Sequence, residues 1–357
     1  MALGAIVLAI WIYLAVGRGF FWRMREEPAP RLTKAPRVVA IIPARDEAAV
    51  VGMAIASLAK QRYPGEFHII VIDDHSTDET AAIARAPAPP DVLTVISSEP
   101  LPAGWTGKLW AVAQGVREAS RYQPDYLLLT DADIVHAPGK LAELAARADS
   151  GYDLVSFMAT LRCESLAERA LIPAFVFFFF LLYPPVWGTG AAGGCMLVRR
   201  EALERAGGIE RIRGELIDDC ALARAIRTAG GRVWLGLSAG TRSIRPYGTF
   251  GEIGRMISRS AFHQLRYSAW LLAGTAAGLL LTFAAPVGLT LAGSAWGVAA
   301  WLLMSLLYAP ALRFYGVSLV WAPLLPAIAL LYLGATVHSA LQHWRGRGGM
   351  WKGRVSR

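Results

Sequence analysis

The chain has 357 residues, 55% of them apolar, and a formal net charge of +9. Its mean hydropathy of +0.40 lies well above that of a typical soluble domain, and the apolar excess is concentrated at the two ends, which predicts a membrane protein with a polar middle. The basic residues gather beside hydrophobic segments and form no patch interleaved with aromatics, so no nucleic-acid partner is expected. Three cysteines without a C-x-x-C spacing indicate neither a disulfide framework nor a zinc site.

The first element is an uncharged apolar run from Ala2 to Val16, followed by Arg18, Arg23 and Arg25. A cleaved signal peptide carries its positive charge before the apolar stretch, whereas here the charge comes after it. We therefore expect residues 1–25 to be a membrane anchor and the chain after it to be cytoplasmic, because Lys and Arg favour that side. The length is marginal for a full span, so an interfacial helix is the alternative.

After a charged, proline-rich linker, apolar strands that end in polar loops alternate with helices. Val38 to Ile42 is a buried strand closed by Pro43-Ala-Arg-Asp-Glu47, and Phe67 to Ile72 is a second strand closed by Asp73-Asp74. Alternation of this kind predicts a parallel sheet covered by helices on both faces.

Leu127 to Leu129 is predicted to be a further, fully buried strand, and the run from Tyr126 that contains it ends in Asp131-Ala-Asp133. In open α/β sheets ligands bind at the carboxyl edge of the strands. The two carboxylates point to the same side if the strand continues and fan out if the chain turns. Either geometry supplies hard oxygen ligands suited to Mg²⁺ or Mn²⁺. An isolated Asp-x-Asp is more often a solvated turn, so the interpretation depends on the strand before it and on the other polar loops.

Two further groups lie at predicted helix starts. Lys108 precedes a helix from Leu109 to Arg121, where free N–H groups favour anions, and either a phosphate contact or a solvated surface position accounts for it. Asp218 and Asp219 open another helix. Acids in a first turn stabilise the helix, and one of them against a buried site also has the chemistry of a general base.

The segment from Leu171 to Trp187 is rich in phenylalanine and has prolines at both ends. The apolar run between the prolines is too short to span a bilayer, so the segment is predicted to lie on the membrane face or to dip into it. A core helix is the alternative.

The last part of the chain is almost uncharged and divides into three apolar segments. They run from about Trp270 to Leu291, from Trp296 to Leu312 and from Val317 to Leu341. The tail at 342–357 is basic and is therefore predicted to be cytoplasmic. Three crossings would place that tail outside, so one segment is predicted to be re-entrant or interfacial, and the middle one is the shortest.

Several motifs in this order resemble the inverting family 2 glycosyltransferases of GT-A fold, over about residues 36–267. They are Pro43-Ala-Arg-Asp-Glu47, Val71-Ile-Asp-Asp-His-Ser-Thr-Asp78, Gly107-Lys108, Asp131-Ala-Asp133 and Asp218-Asp219. The anchor, the run from Gly104 to Trp110, the phenylalanine-rich segment and Trp351-Lys-Gly-Arg354 are similar to the hopene-associated glycosyltransferases of hopanoid-producing bacteria. They are more distantly similar to ceramide glucosyltransferases.

The resemblance implies an α/β, Rossmann-like domain that binds a nucleotide-sugar at 36–267, with transmembrane helices at 268–341. It implies a multi-pass protein of the bacterial inner membrane with a cytoplasmic catalytic domain. The expected reaction moves one sugar from a nucleotide-sugar, with UDP-sugar as the expected donor, to a membrane lipid, with a hopanoid as the expected acceptor.

The resemblance also assigns roles to residues. Asp219 would take the proton from the acceptor hydroxyl, and Asp131 and Asp133 would hold the diphosphate through Mn²⁺ or Mg²⁺. The residues implied in donor binding are Pro43, Arg45, Glu47, Asp73, Asp74, Lys108, Asp131, Asp218 and Arg259.

One motif of many membrane members, Gln-x-x-Arg-Trp, is missing here. Arg255, Arg259, His263 and Arg266 share one face of the helix predicted before the membrane, and the sequences around Arg259 and Arg266 match the motif partly. Arg259 is favoured because Arg266 borders the bilayer. Without the motif, a single transfer is expected and not polymer synthesis.

Two other functions stay open. Transfer to a polyprenyl phosphate needs no strong base, because that acceptor is already an anion. A membrane protein that binds a nucleotide-sugar without turnover is the other, although the intact set of carboxylates argues against it.

Overall fold

The computed structural model describes residues 2–346, 350–351 and 354–355. Of the predicted basic tail, Arg347, Lys352 and Arg357 lie outside the described residues. In chain order the strands are β1 (Val38–Ala44), β2 (Phe67–Asp73), β3 (Leu93–Ser97), β4 (Tyr126–Thr130), β5 (Ile134–His136), β6 (Leu154–Thr160), β7 (Cys195–Arg199), β8 (Val233–Ser243), β9 (Met350–Trp351) and β10 (Arg354–Val355).

The helices account for most of the remaining chain. They are α1 (Ala2–Val16), α2 (Val51–Ala59), α3 (Thr80–Arg85), α4 (Gly107–Ala119), α5 (Lys140–Asp149), α6 (Leu166–Leu182), α7 (Arg200–Arg205), α8 (Asp218–Thr228), α9 (Phe250–Gln264), α10 (Ala269–Leu279), α11 (Ala285–Leu291), α12 (Ala295–Phe314) and α13 (Leu325–Trp344).

Two compact units divide the chain. Among the described residues, the sheet unit comprises residues 26–161, 188–245, 351 and 354–355, and the helical unit comprises residues 2–25, 162–187, 246–346 and 350. This division differs from the predicted domain at 36–267, because α6 and α9 pack with the apolar helices of the helical unit.

Strand order explains why the polar loops meet. The eight-stranded sheet has the order β3-β2-β1-β4-β7-β6-β8-β5. β1 is parallel to both β2 and β4, so the loops after these strands lie at one edge. β7 runs antiparallel to β4 and pairs Cys195 with Thr130, which brings the glycines before β7 to the same edge. The predicted parallel sheet is therefore confirmed for β1 to β4, while the other half is mixed.

Both faces of the sheet are buried, as predicted. Ile41 and Ile72 face α4, and Ala40 and Ile42 face the opposite layer with α2 and α5. Continuous apolar strands are the pattern expected of a sheet covered by helices on both faces.

The helical unit contains the phenylalanine-rich segment as the regular helix α6. Phe177 is buried and packs edge to face against Phe21 and Tyr308, and the Tyr332 hydroxyl donates to the Leu171 carbonyl at 2.8 Å. The structure thus supports the core-helix alternative for the buried side of α6. A surface segment would leave these aromatic rings exposed.

Four helical segments of the described chain are long and apolar enough to cross a membrane: Leu166–Trp187, Ala269–Leu291, Ala295–Phe314 and Leu319–Trp344. The first corrects the prediction that the phenylalanine-rich segment is too short, because its helix begins before the first proline. A single crossing there is nevertheless excluded by the sheet. β6 precedes this helix and β7 follows it, and the two strands are hydrogen-bonded partners, so both ends return to the same side.

The lengths of α1 and α12 bear on two of the predicted membrane segments. α1 is an apolar helix of 15 residues, shorter than a full span, as its marginal length suggested. α12 has 20 residues, or about 30 Å at the helical rise per residue. It is the shortest of the three C-terminal apolar segments, as predicted, and its re-entrant placement stays a prediction.

Candidate active site

The predicted polar residues of the sheet unit gather at the carboxyl edge of β1, β2 and β4. β4 ends at Thr130 and the chain turns before β5 begins at Ile134. Asp131 and Asp133 therefore fan out, which is one of the two arrangements that the sequence left open. The Asp131 carboxylate contacts Lys108, and the Asp133 carboxylate contacts Arg245.

Lys108 is the cation beside Asp131. Its Nζ lies 2.9 Å from Asp131 Oδ1 and 2.9 Å from Asp218 Oδ2. The start of α4 is fixed by the Thr106 side chain, which accepts from the Leu109 N–H. With 22% of its side chain exposed and an acid on two sides, Lys108 is not a solvated surface lysine.

The charges in this group perturb one another. Burial lowers the pKa of Lys108 and the carboxylates of Asp131 and Asp218 raise it, with a net rise above its usual value, so Lys108 is a cation at neutral pH. Burial raises the pKa of Asp131, Lys108 lowers it, and the nearby acids Asp133 and Asp218 raise it, with a net rise. A bound divalent cation would relieve this crowding of acids.

Asp219 is held at the start of α8 by two backbone donors. The Gly193 N–H donates to its Oδ2 at 2.8 Å, and the Cys220 N–H donates to its Oδ1 at 2.7 Å. Burial and the Asp218 charge raise the pKa of Asp219 to about 6, against the lowering effects of both N–H groups and of Lys108. Asp219 is therefore ionised at neutral pH and more basic than an ordinary aspartate, which suits a general base.

The second cation, Arg245, was not predicted. Its Nη2 lies 2.7 and 2.6 Å from the two carboxylate oxygens of Glu47, and its Nε lies 3.4 Å from Asp133 Oδ2. The Ser243 hydroxyl donates to the same Asp133 oxygen at 2.6 Å. β8 continues to Ser243 and carries Arg245 to the edge of the sheet. No local sequence pattern indicates this position, because it depends on the pairing of β8 with β5.

The carboxyl ends of β1 and β2 and the loops after them hold the remaining predicted donor residues of the sheet unit. Arg45 Nη1 donates to the Asp74 carbonyl at 2.5 Å and lies 3.6 Å from Asp74 Oδ2, and Asp74 is fully buried. Asp73 Oδ1 is buried and has no hydrogen-bond partner among the described residues, which leaves an acceptor for a ligand. Pro43 lines a cavity together with Lys108 and Asp131.

A buried histidine supports the turn that carries Asp131 and Asp133. The Thr130 hydroxyl donates to the Gly194 carbonyl at 2.8 Å, so the contact at 3.1 Å with His136 Nε2 is a hydrogen bond that the imidazole donates. Burial lowers the pKa of His136 to about 4, which keeps the ring neutral.

The structure therefore brings Lys108, Asp131, Asp218 and Asp219 into one cluster and Glu47, Asp133 and Arg245 into a second. Arg259 lies on α9 of the helical unit, and its predicted role in donor binding stays a prediction.

The carboxylates of this edge fit a divalent ion that arrives with phosphate. Asp131 and Asp133 offer hard oxygen ligands, and among residues 2–346 no group of three His, Cys, Asp or Glu side chains forms a complete protein cage. Mg²⁺ is commonly bound in proteins by one or two carboxylates together with substrate phosphates and water. The donor set present here matches that arrangement.

The fold belongs to a known class. The chain superposes with a TM-score of 0.60 on a mannosyltransferase from Pyrobaculum calidifontis solved with GDP-Man and Mn²⁺, covering 96% of this chain and 99% of that one at 21% identity. This similarity confirms the predicted GT-A type of α/β fold.

The sequence comparison concerns one part of the chain. Residues 39–207 match the family described as Glycosyl transferase family 2.

Two curated relatives match shorter stretches. A 4,4'-diaponeurosporenoate glycosyltransferase from Staphylococcus aureus is 31% identical over 130 residues, which are 36% of this chain and 32% of the relative. An undecaprenyl-phosphate 4-deoxy-4-formamido-L-arabinose transferase from Pseudomonas fluorescens is 31% identical over 107 residues, which are 29% of each chain. The matches thus span about a third of the relatives' own length.

Proposed function

We propose that the chain is an inverting glycosyltransferase that moves a single sugar from a nucleotide-sugar to a membrane lipid, with a hopanoid as the acceptor. The observation that carries this proposal is the raised pKa and fixed orientation of Asp219 beside Lys108, Asp131 and Asp218, within a family 2 domain. The hopanoid rests on the motifs similar to hopene-associated enzymes, and UDP-sugar is the proposed donor.

The proposed reaction uses Asp219 as the base and Lys108 as the group that stabilises the leaving diphosphate. Asp219 takes the proton of the acceptor hydroxyl, whose oxygen attacks the anomeric carbon from the face opposite the nucleotide. The bond between that carbon and the diphosphate breaks, and Lys108, which is paired with Asp131, would stabilise the negative charge that the diphosphate gains. One displacement inverts the anomeric carbon.

The donor-binding role is assigned to the polar loops of the sheet edge. Arg45, Glu47, Asp73 and Asp74 surround the end of β1 and β2, and the unpartnered Asp73 Oδ1 supports a hydrogen bond to the nucleoside. Asp131 and Asp133 would hold Mn²⁺ or Mg²⁺. That ion would neutralise charge on the leaving diphosphate.

The membrane assignment is supported by composition and by the relatives. Three long apolar segments follow the family 2 domain. The names of the two curated relatives specify diaponeurosporenoate and undecaprenyl phosphate, and undecaprenyl phosphate is a membrane lipid. We place the protein in the bacterial inner membrane with the sheet unit in the cytoplasm.

A second candidate is transfer to a polyprenyl phosphate, which the Pseudomonas fluorescens relative favours. Such an acceptor is already an anion, so Asp219 would not be needed as a base. A nucleotide-sugar-binding protein without turnover is the third candidate, and the intact set of carboxylates at this edge of the sheet argues against it.

The test uses purified full-length protein in bilayers with UDP- and GDP-sugars, Mn²⁺ or Mg²⁺, and either hopanoid extract or polyprenyl phosphate. Mass spectrometry of the lipids identifies the product. We expect a glycosylated hopanoid whose formation Asp219→Asn slows about 10²- to 10⁴-fold. Product on polyprenyl phosphate alone, surviving in Asp219→Asn, would establish the second candidate, and donor binding without any product would establish the third.

A further inference from the structure

Arg245 connects two acids that are assigned different tasks. Glu47 is a proposed nucleoside contact, Asp133 is a proposed metal ligand, and one guanidinium contacts both, at 2.6 Å and 3.4 Å. The side chains of Glu47 and Asp133 are only 10% and 13% exposed, against 31% for Arg245. Two little-exposed carboxylates thus depend on a cation that is more accessible to solvent than they are.

A divalent ion at Asp133 would compete with this guanidinium. Both cations need the same carboxylate, and two positive charges within a few ångströms repel each other strongly where water is partly excluded. A metal ion that arrives alone must therefore displace Arg245 from Asp133. The guanidinium gains no new anion in exchange.

A nucleoside diphosphate changes this balance. It brings phosphate oxygens that ligate the ion, and it offers the planar guanidinium a bidentate partner to replace the Asp133 carboxylate. Displacement of Arg245 is then offset by a new ion pair. Ser243, which donates to Asp133 at 2.6 Å, keeps that carboxylate oriented during the exchange.

We propose that Arg245 is a positioning residue that makes binding of the divalent ion depend on the nucleotide-sugar donor. Without the donor, Arg245 stays paired with Asp133 and so opposes binding of the metal ion alone. When the ion and the donor bind together, Arg245 exchanges its contact with Asp133 for a contact with the donor diphosphate. This inference rests on the proposed function, because it requires a donor with a diphosphate.

The test measures Mn²⁺ affinity of detergent-solubilised full-length protein, with and without UDP or GDP, from the electron paramagnetic resonance signal of free Mn²⁺. No turnover is needed. Arg245→Gln removes the charge and keeps much of the side-chain volume. Arg242→Gln is the matched control, because Arg242 is exposed on the same strand, β8.

In the wild type we expect weak Mn²⁺ binding that nucleoside diphosphate strengthens at least about tenfold, a typical coupling between two ligands. In Arg245→Gln we expect Mn²⁺ alone to bind at least about tenfold more tightly and the gain from nucleotide to shrink by a similar factor. Arg245→Lys keeps the charge without the planar fork and should lie between the two.

An Arg245→Gln variant that binds Mn²⁺ like Arg242→Gln, or more weakly than the wild type, would overturn the inference and leave the proposed function intact. Wild-type protein that binds neither nucleotide nor Mn²⁺ would contradict the proposed function itself. Thermal unfolding of each variant separates these outcomes from misfolding. If Arg245→Gln does not fold, equal Mn²⁺ behaviour of Arg245→Lys and the wild type overturns the inference.

Discussion

At the scale of single residues, the site places chemically identical side chains in different electrostatic environments. Asp218 contacts Lys108 directly, whereas Asp219 has backbone donors and no direct ion pair within 4 Å among the described residues. Burial and the neighbouring Asp218 charge then raise the pKa of Asp219 to about 6. Adjacent aspartates with separate environments can divide the work, one binding a cation and the other accepting a proton.

The first prediction concerns pH. Because Asp219 must be deprotonated to act as a base and its pKa is raised to about 6, transfer should be near its maximum above pH 7 and half-maximal near pH 6. Below that, kcat/KM should fall about tenfold for each pH unit. A pH–rate profile at saturating Mn²⁺ checks this, and a profile that stays flat down to pH 5 would exclude Asp219 as the base.

The second prediction concerns Lys108. Its positive charge lowers the pKa of Asp219, so Lys108→Met should move the midpoint of the pH–rate profile above 6 and weaken donor binding. Lys60→Met is the control, because Lys60 is an exposed lysine at the end of α2. An unchanged midpoint in Lys108→Met would show that the two charges are not coupled.

At the scale of elements, the sheet and α4 are packed without spare room. A Cβ on Gly115 would lie 2.5 Å from Ile41 Cγ2 and 2.6 Å from Ile72 Cδ1, closer than such atoms approach in proteins. Glycine in a helix normally lowers stability, and here the close approach of α4 to β1 and β2 requires it. The same contact fixes the helix whose first turn carries Lys108.

The third prediction follows from that contact. Gly115→Ala should destabilise the protein by about 1–3 kcal/mol through overpacking. Gly254→Ala in α9 has open space at the new Cβ and should stabilise it by up to about 1 kcal/mol. Thermal unfolding in detergent should therefore show a lower Tm for the first variant and a higher Tm for the second, and a rise in both would mean that α4 has room to move.

The elements that sequence predicted best are those fixed by local patterns. Apolar runs gave β1, β2 and β4 to within two residues at each end, because a buried strand has to be apolar along its length. The clustering of the acidic loops after these strands could also be predicted, since parallel strands place their carboxyl ends together. Most of the candidate site could thus be placed from the sequence.

What could not be predicted depends on contacts between distant parts of the chain. β5 has three residues and exists because it pairs with the end of β8. That pairing extends β8 to Ser243 and positions Arg245 beside Asp133, and no local pattern carries this information. The backbone support of Asp219 by Gly193 is likewise visible only once β7 is known to run antiparallel to β4.

At the scale of the whole molecule, the sheet constrains how the chain meets a membrane. Leu166–Trp187 is long and apolar enough for a crossing, yet β6 before it and β7 after it are partners in one sheet. Two partner strands cannot lie on opposite sides of a bilayer. A membrane-inserted α6 must therefore enter and leave on the same side.

The fourth prediction tests this constraint by cysteine labelling in spheroplasts and in inverted vesicles. Glu164→Cys and Val186→Cys flank α6 at exposed positions and should react with an impermeant maleimide from the same side. The variants are made in a Cys163→Ser background, since Cys195 and Cys220 are buried. Labelling of the two positions from opposite sides would contradict the sheet pairing of β6 with β7.

The measurement that tests the central claim most directly is release of nucleoside diphosphate by the purified protein in bilayers, with and without the lipid acceptor, for the wild type and Asp219→Asn. A lipid glycosyltransferase that uses Asp219 as its base should release the nucleotide only when the lipid is present. Asp219→Asn should slow this release about 10²- to 10⁴-fold, the usual contribution of general base catalysis. Release that ignores the lipid and proceeds equally well in Asp219→Asn would contradict the proposed reaction.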